Sequence, residues 1–126
     1  MKKIISLFLC IMMLCASLTS ALAASTPIRG TLTSTTTLSN ITDVVTSVGG
    51  SWIAYFSKGP SDNQRVVARV HKGYDAVSST WVYSNSSGVS HPYKVAYQGG
   101  GYQVALRGRV DDRDQGPIVV GGTFTP

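Results

Sequence analysis

Hydrophobic and polar residues alternate with a period of two through much of the chain. The longest such run covers residues 102–111, where Tyr, Val, Leu, Gly and Val alternate with Gln, Ala, Arg, Arg and Asp. An alternation of this length predicts a β-strand with one buried face and one solvated face. A helix over the same residues would place Arg107 or Arg109 close to its apolar stripe.

A second alternating run directly precedes this one. Residues 93–98 place two tyrosines and a valine on one face, with Lys, Ala and Gln on the other. Three glycines, Gly99 to Gly101, join the two runs, and glycine adopts the positive φ angles of a tight reversal without steric cost. The pattern therefore predicts a β-hairpin formed by residues 93–98 and 102–111.

Shorter runs predict the other strands. Residues 51–57 are apolar on both faces, which suits a central strand, and residues 64–72 alternate as a further strand. The segment Gly59-Pro60-Ser61-Asp62-Asn63 between them is dense in turn-forming residues, so we expect these two strands to form a second hairpin. Short strands are also predicted at residues 81–83 and 117–125.

The stretch before residue 50 is less regular. Residues 28–37 are rich in Thr, which favours strands but is also common in solvated tails. Residues 40–48 fit either a strand or one short helix capped by Asn40 or Thr42, and we favour strands for both segments. A loosely ordered Ser/Thr-rich start over residues 24–40 is the alternative. The whole pattern predicts an all-β fold, an antiparallel β-sandwich of about seven or eight short strands rather than a closed barrel.

The first 23 residues have the three-part layout of a cleaved secretory signal peptide. Lys2 and Lys3 precede an apolar run over residues 4–18, and Ala21-Leu22-Ala23 provides the small residues of a cleavage site. The run is shorter than the about 20 residues of a membrane-spanning helix. We therefore expect a secreted, extracellular mature domain over residues 24–126 without a membrane span. The Lys-Lys start and the short length are more typical of a bacterial protein.

Cleavage would change the composition that has to be explained. Both cysteines, Cys10 and Cys15, would be lost, so the domain cannot use the disulfides on which many small secreted domains depend. Loss of Lys2 and Lys3 lowers the basic residues from 11 to 9 against six Asp, and the formal charge from +5 to +3. A mild positive charge suits anionic envelope polymers or lipid head groups, but it also serves ordinary solubility.

Basic side chains recur on the polar face of several predicted strands. If those strands are neighbours in one sheet, their outer face is a cationic panel suited to anionic envelope polymers or lipid surfaces, and less to nucleic acid outside the cell. The alternative is that long basic side chains shield an exposed sheet and prevent edge pairing. The residues of this candidate panel are Arg65, Arg69, Lys94, Arg107 and Arg109.

Aromatic residues suggest a second way of binding. Tyrosine and tryptophan in loops at one end of a sandwich can stack on sugars or anchor a protein partner, although such residues more often close a core. The candidates lie near Gly73 and a Ser-rich segment over residues 84–90. They are Tyr74, Trp81, Tyr83 and Tyr93.

The sequence contains few groups for metal binding or catalysis. Asp112 and Asp114, followed by Gly116, could supply oxygen ligands to Ca²⁺, but the spacing of an EF-hand loop is absent and a solvated turn is the simpler interpretation. His71 and His91 have no companions at ligand spacing. No Gly-x-Ser-x-Gly nucleophile motif occurs, so the sequence does not favour an enzyme.

These observations predict a secreted, non-catalytic β-sandwich that acts as an extracellular binding or interaction module. Its expected partners are an anionic envelope polymer, a glycan or another protein, and it requires no cofactor. The alternative function is a small cationic secreted effector, similar in action to a bacteriocin, that acts on the envelope of other cells. A small secreted hydrolase is a more distant third hypothesis.

Overall fold

Five strands of seven or eight residues form most of the fold, and five shorter strands complete it. In the computed structural model, the described residues are 24–58, 65–83, 88–111 and 117–126. The predicted signal peptide lies outside them. The strands are β1 Thr26–Leu32, β2 Ser39–Asn40, β3 Val45–Thr46, β4 Ser51–Lys58, β5 Val66–Lys72, β6 Asp75–Ala76, β7 Val82–Tyr83, β8 Ser90–Pro92, β9 Gln103–Val110 and β10 Ile118–Thr125.

The strands form two antiparallel sheets that pack against each other. The first sheet has the order β1-β10-β4-β8. The second has the order β2-β9-β5-β6, with β3 also pairing with β9 and β7 with β5. The predicted all-β sandwich is therefore confirmed. The larger number of strands arises because five of them contain only two or three residues.

The core lies between the two sheets and comes from the inward positions of the alternating strands. In β9, Val104, Leu106 and Val110 are buried, as the period-two pattern predicted. Trp52 on β4 contacts Phe124 on β10, with ring centroids 6.3 Å apart. The cluster consists mainly of Val, Ile, Leu and aromatic side chains from both sheets, so apolar burial is the main source of stability.

Backbone hydrogen bonds connect the sheets at both sides. On one side, the Arg29 N–H donates to the Ile41 carbonyl, and the Ile41 N–H donates to Leu106 of the second sheet. On the other side, the Tyr93 N–H donates to Gly50 and the Lys94 N–H donates to Val77. These bonds satisfy polar groups at the sheet edges, which would otherwise be open to pairing with another chain.

A bulge bends β10 where it passes β4. The register shifts between Gly121 and Gly122, and Gly122 has a φ of 153°. A Cβ at Gly122 would collide with the backbone carbonyl of Tyr55 and lie 2.9 Å from the Cα of Phe56. Only glycine fits this close approach, because it has no side chain and tolerates the positive φ.

The hairpin predicted for residues 93–98 and 102–111 is wrong, although its second strand is present as β9. Residues Val95–Tyr97 form a 3₁₀ turn, held in part by the bond from the Tyr102 hydroxyl to the Ala96 carbonyl. The physical reason is that β9 already has β5 on one side and β2 and β3 on the other. No edge of β9 remains for residues 93–98.

The second predicted hairpin is also wrong. Strands β4 and β5 lie in different sheets, so the chain crosses from one layer to the other between them. Each strand has an apolar inward face, and opposing these faces across the core buries both of them. Residues 59–64, which make the connection, lie outside the described residues.

The segment before β4 forms strands but not one continuous strand. Residues 26–32 form β1, which pairs with β10 along its length. The structure places two short strands, β2 and β3, within residues 39–46 and no helix in residues 40–48. Within the described part of the chain, no helix is long and apolar enough to cross a membrane.

Candidate functional site

The outward side of the second sheet carries the chemically most distinctive surface among the described residues. Strands β5 and β9 are direct neighbours, and their register places Arg69 opposite Arg107 and Val67 opposite Arg109. The sequence analysis predicted a cationic panel if the strands that carry the basic residues are neighbours in one sheet. For Arg69, Arg107 and Arg109 they are. We define the arginine face as the surface formed by Arg69, Arg107, Arg109, Trp81 and Tyr74.

Trp81 lies between two of these arginines. The Cζ atom of Arg69 is 4.2 Å from the centroid of the Trp81 ring, and the Cζ atom of Arg109 is 5.7 Å from it. Both distances are within the range of cation–π attraction. The half-buried indole thus contacts two guanidinium groups that share one face and partly shields their charges.

Arg107 and Arg109 also hold the loop that follows β1. The Arg109 Nη1 donates to the Thr35 carbonyl at 2.6 Å, and the Arg107 Nη2 donates to the Leu38 carbonyl at 2.7 Å. Charged donors of this kind make strong hydrogen bonds. Both arginines are half-buried as a result, so they stabilise the fold as well as supplying positive charge.

Arg69 and Arg107 have no carboxylate partner among the described residues. The Nε atom of each is buried without a hydrogen-bond partner. By contrast, Arg29 on β1 pairs with Asp43 at 3.3 Å, in an ion pair whose side chains are 71% and 69% exposed. Directly opposed like charges destabilise a sheet, so the Arg69–Arg107 pair is a place where an added anion would be favourable.

His71 lies beneath the same face. It is only 4% exposed, and its Nδ1 donates to the Tyr74 carbonyl at 3.2 Å. Its Nε2 is buried without a partner. Burial lowers the pKa of His71, and the charges of Arg107 and Arg69 lower it further, whereas the bond to Tyr74 and the Asp75 carboxylate act in the opposite direction.

Tyr74 is held at the turn between β5 and β6. Gly73 has a φ of 60°, which allows the tight turn that presents Tyr74 outward. The Tyr74 residue is 91% exposed, and the Cζ atom of Arg107 lies 5.4 Å from its ring centroid. Beside it, Ser39, Asn40, Gly73, Tyr74 and Arg107 line an open depression of about 520 Å³.

The remaining candidate residues lie elsewhere. Arg65 is exposed immediately before β5, and Tyr83 on β7 is partly exposed opposite Val67. Lys94 precedes the 3₁₀ turn rather than lying on a strand beside β9, so the expected position of Lys94 on a hairpin face is wrong. Tyr93 is 2% exposed within the core, and burial raises the pKa of its phenol.

The candidate calcium ligands Asp112 and Asp114 lie outside the described residues. Among the residues that are described, no three His, Cys, Asp or Glu side chains are grouped to hold a metal ion. His91 packs against Trp52 with ring centroids 4.9 Å apart, and its Nε2 is buried. This arrangement uses His91 as a packing residue.

Sequence reasoning missed part of the site. Ser39, Asn40 and Gly73 were not candidates, and neither were the carbonyls of Thr35 and Leu38, because any residue supplies a carbonyl. The Gly73-Tyr74 pair was the one local indication of a turn that exposes an aromatic ring. No known protein family, curated protein or solved structure is detectably similar to this chain.

Proposed function

We propose that this protein is a non-catalytic extracellular binding module that takes anionic polymers of the cell envelope on its arginine face. The observation that carries the proposal is the direct opposition of Arg69 and Arg107 on adjacent strands, with no carboxylate partner for either among the described residues. Among the described residues, positive charge is therefore concentrated at one place, and Arg69 and Arg107 have no carboxylate contact there.

Three properties of the face suit a polyanion. Its arginines are spaced along two strands, so that successive acidic groups of a polymer can contact different guanidinium groups. Guanidinium groups bind carboxylates and phosphates through paired N–H donors. Their partial burial under Trp81 and the loop carbonyls reduces screening by water and salt, which strengthens the attraction.

The histidine beneath the arginine face favours binding over catalysis. His71 uses Nδ1 for the Tyr74 carbonyl and buries Nε2 beneath the surface. A general base must reach the proton it removes at hydrogen-bond distance. Neither ring nitrogen of His71 is presented to a ligand in this arrangement.

The test is retention on immobilised polygalacturonate and poly(glycerol phosphate) across a salt gradient. Arg69→Gln and Arg107→Gln are compared with Arg29→Gln, which removes the same charge from an exposed ion pair on the other sheet. We expect each arginine-face variant to weaken binding by about ten- to a hundredfold, because a charge-assisted hydrogen bond contributes about 1.5–3 kcal/mol. Arg29→Gln is expected to bind like the wild type.

Folding is checked in each variant by its melting temperature. Arg107→Lys keeps the charge but loses the planar pair of donors, so it distinguishes lost contact from lost fold. Equal loss of retention in all three glutamine variants would mean that net charge alone drives binding. That result, or no retention of the wild type, would contradict the proposal.

A further inference from the structure

The open depression beside Tyr74 has features that a simple polyanion would not use. It lies where β2 meets the turn between β5 and β6, at the margin of the arginine face. Its volume of about 520 Å³ is in the range of small-ligand sites. Its lining includes the charged group of Arg107, the aromatic ring of Tyr74 and the amide of Asn40.

The backbone of Tyr74 is held in place, and its aromatic ring is exposed. The Tyr74 carbonyl accepts the hydrogen bond from buried His71, and the Tyr74 ring contacts the Arg107 guanidinium at 5.4 Å. The residue nevertheless remains 91% exposed. A positioned, solvent-exposed ring of this kind can stack on an apolar face of a ligand with little loss of side-chain entropy.

The charged group is also oriented in advance. Arg107 donates through Nη2 to the Leu38 carbonyl and, at 3.4 Å, through Nη1 to the Gly73 carbonyl. Each terminal nitrogen of a guanidinium carries two N–H groups, so one remains on each for a ligand. Guanidinium N–H groups form strong, charge-assisted hydrogen bonds with the oxygens of a carboxylate.

The amide completes the lining. Asn40 pairs with Arg107 in the register of β2 and β9, so the two side chains share the outward face of the sheet. The Asn40 side chain makes no hydrogen bond with another described residue. An amide donates and accepts, which is the chemistry that sugar hydroxyls require. Ser39 also lines the depression, but it pairs with Gly108, so its side chain is directed to the other face of the sheet.

We propose that this depression is a subsite for a hexuronic acid residue of an acidic polysaccharide. The sugar ring stacks on Tyr74, its carboxylate binds Arg107, and a ring hydroxyl bonds to Asn40. The inference rests on the proposed function and names the class of polymer. A linear polyphosphate offers charge to Arg107 but neither a ring for Tyr74 nor hydroxyls of the ring for Asn40.

The experiment compares two anionic probes of three units each, trigalacturonate and tripolyphosphate, by calorimetric titration at fixed pH and salt. The variants are Tyr74→Ala, Tyr74→Phe and Asn40→Ala. Tyr55→Ala is the matched control, because Tyr55 is an exposed tyrosine on the outward side of the first sheet. Melting temperatures confirm that each variant folds.

We expect Tyr74→Ala to weaken trigalacturonate binding about fivefold while leaving tripolyphosphate binding unchanged. Tyr74→Phe keeps the ring and should bind like the wild type, whereas Asn40→Ala should lose affinity for trigalacturonate alone. Tyr55→Ala should change neither.

Two failures are distinguishable. If both probes bind and Tyr74→Ala changes neither affinity, or lowers both equally, the sugar subsite is overturned while anion binding by the arginine face stands. If the wild type binds neither probe and no polymer is retained, the proposed function fails as well.

Discussion

The outward surfaces of the two sheets differ, although β4 and β9 are both eight-residue strands with alternating inward side chains. On the first sheet, Ile53, Tyr55 and Val119 remain exposed. On the second sheet, Val67 is 3% exposed although it does not belong to the core between the sheets. The difference arises because Trp81 and the loop carbonyls at Thr35 and Leu38 contact the arginines of the second sheet and partly cover it.

This comparison shows that the alternation of apolar and polar residues does not by itself decide the solvent exposure of a strand's outer face. Arginines on an outward face become half-buried when rings and carbonyls from neighbouring segments contact them. The covered face then acquires oriented charge in a less polar environment, which is a better basis for a binding site than an exposed neutral sheet.

The largest expected effect comes from introducing a lysine into the outward surface of each sheet in turn. Val67→Lys should destabilise the protein by about 4 kcal/mol or prevent folding, because it buries an ammonium group opposite Arg109. Val119→Lys should change the free energy of unfolding by less than about 0.5 kcal/mol. Urea denaturation measures both. Equal tolerance would mean that the second sheet is not covered in solution.

A smaller effect is expected from removing one aromatic ring from each surface. Trp81→Ala should lower the free energy of unfolding by about 2 kcal/mol, roughly half the value for a fully buried aromatic residue, because Trp81 is half-buried. Part of this loss comes from the cation–π contacts with Arg69 and Arg109. Tyr55→Ala should cost less than about 0.5 kcal/mol. The two variants are compared by the midpoint of urea denaturation, with the m-value unchanged. A loss of stability for Trp81→Ala no larger than for Tyr55→Ala would contradict the prediction.

A further test compares an arginine that is bonded to loop carbonyls with an arginine in an exposed ion pair. Arg107→Ala removes hydrogen bonds to two loop carbonyls and should cost about 1.5 kcal/mol. Arg29→Ala removes an exposed ion pair, and such pairs contribute little, about 0–1 kcal/mol. Thermal unfolding of the two variants, measured side by side, should separate them. A larger loss of melting temperature in Arg29→Ala than in Arg107→Ala would contradict the claim that Arg107 contributes more to stability.

The smallest effect concerns pH. Burial and the neighbouring arginines lower the pKa of His71 in the folded state, so the unfolded chain binds a proton more readily than the folded one. The stability linked to His71 is therefore present above pH about 6.5 and falls as the pH drops below that value. His71→Asn should show a shallower decrease in melting temperature between pH 7.5 and pH 5 than the wild type. Parallel curves would exclude this role.

Much of the fold followed from local pattern. The inward faces of β4, β5 and β9 and the position of β10 were predictable, because a period of two directly specifies which side chains share a face. Both predicted hairpins failed, because the choice of partner depends on contacts between residues distant in sequence. In β9, every neighbour comes from a strand other than the one expected.

The candidate site was predictable only in part. Arg69, Arg107, Arg109, Trp81 and Tyr74 were identified by residue type, but Lys94 and Tyr93 do not join them. The depression at Asn40 could not be found, because it depends on β2 pairing with β9 across more than sixty residues of chain.

The sequence by itself determined that this chain forms β-strands with apolar inward faces, since that property follows from the alternation of neighbouring residues. Only the tertiary structure decided that β5 and β9 adjoin, that Arg69 faces Arg107, and that rings and carbonyls cover one sheet and leave the other exposed. Those features depend on long-range pairing and on the cooperative burial of surfaces, which no local pattern specifies.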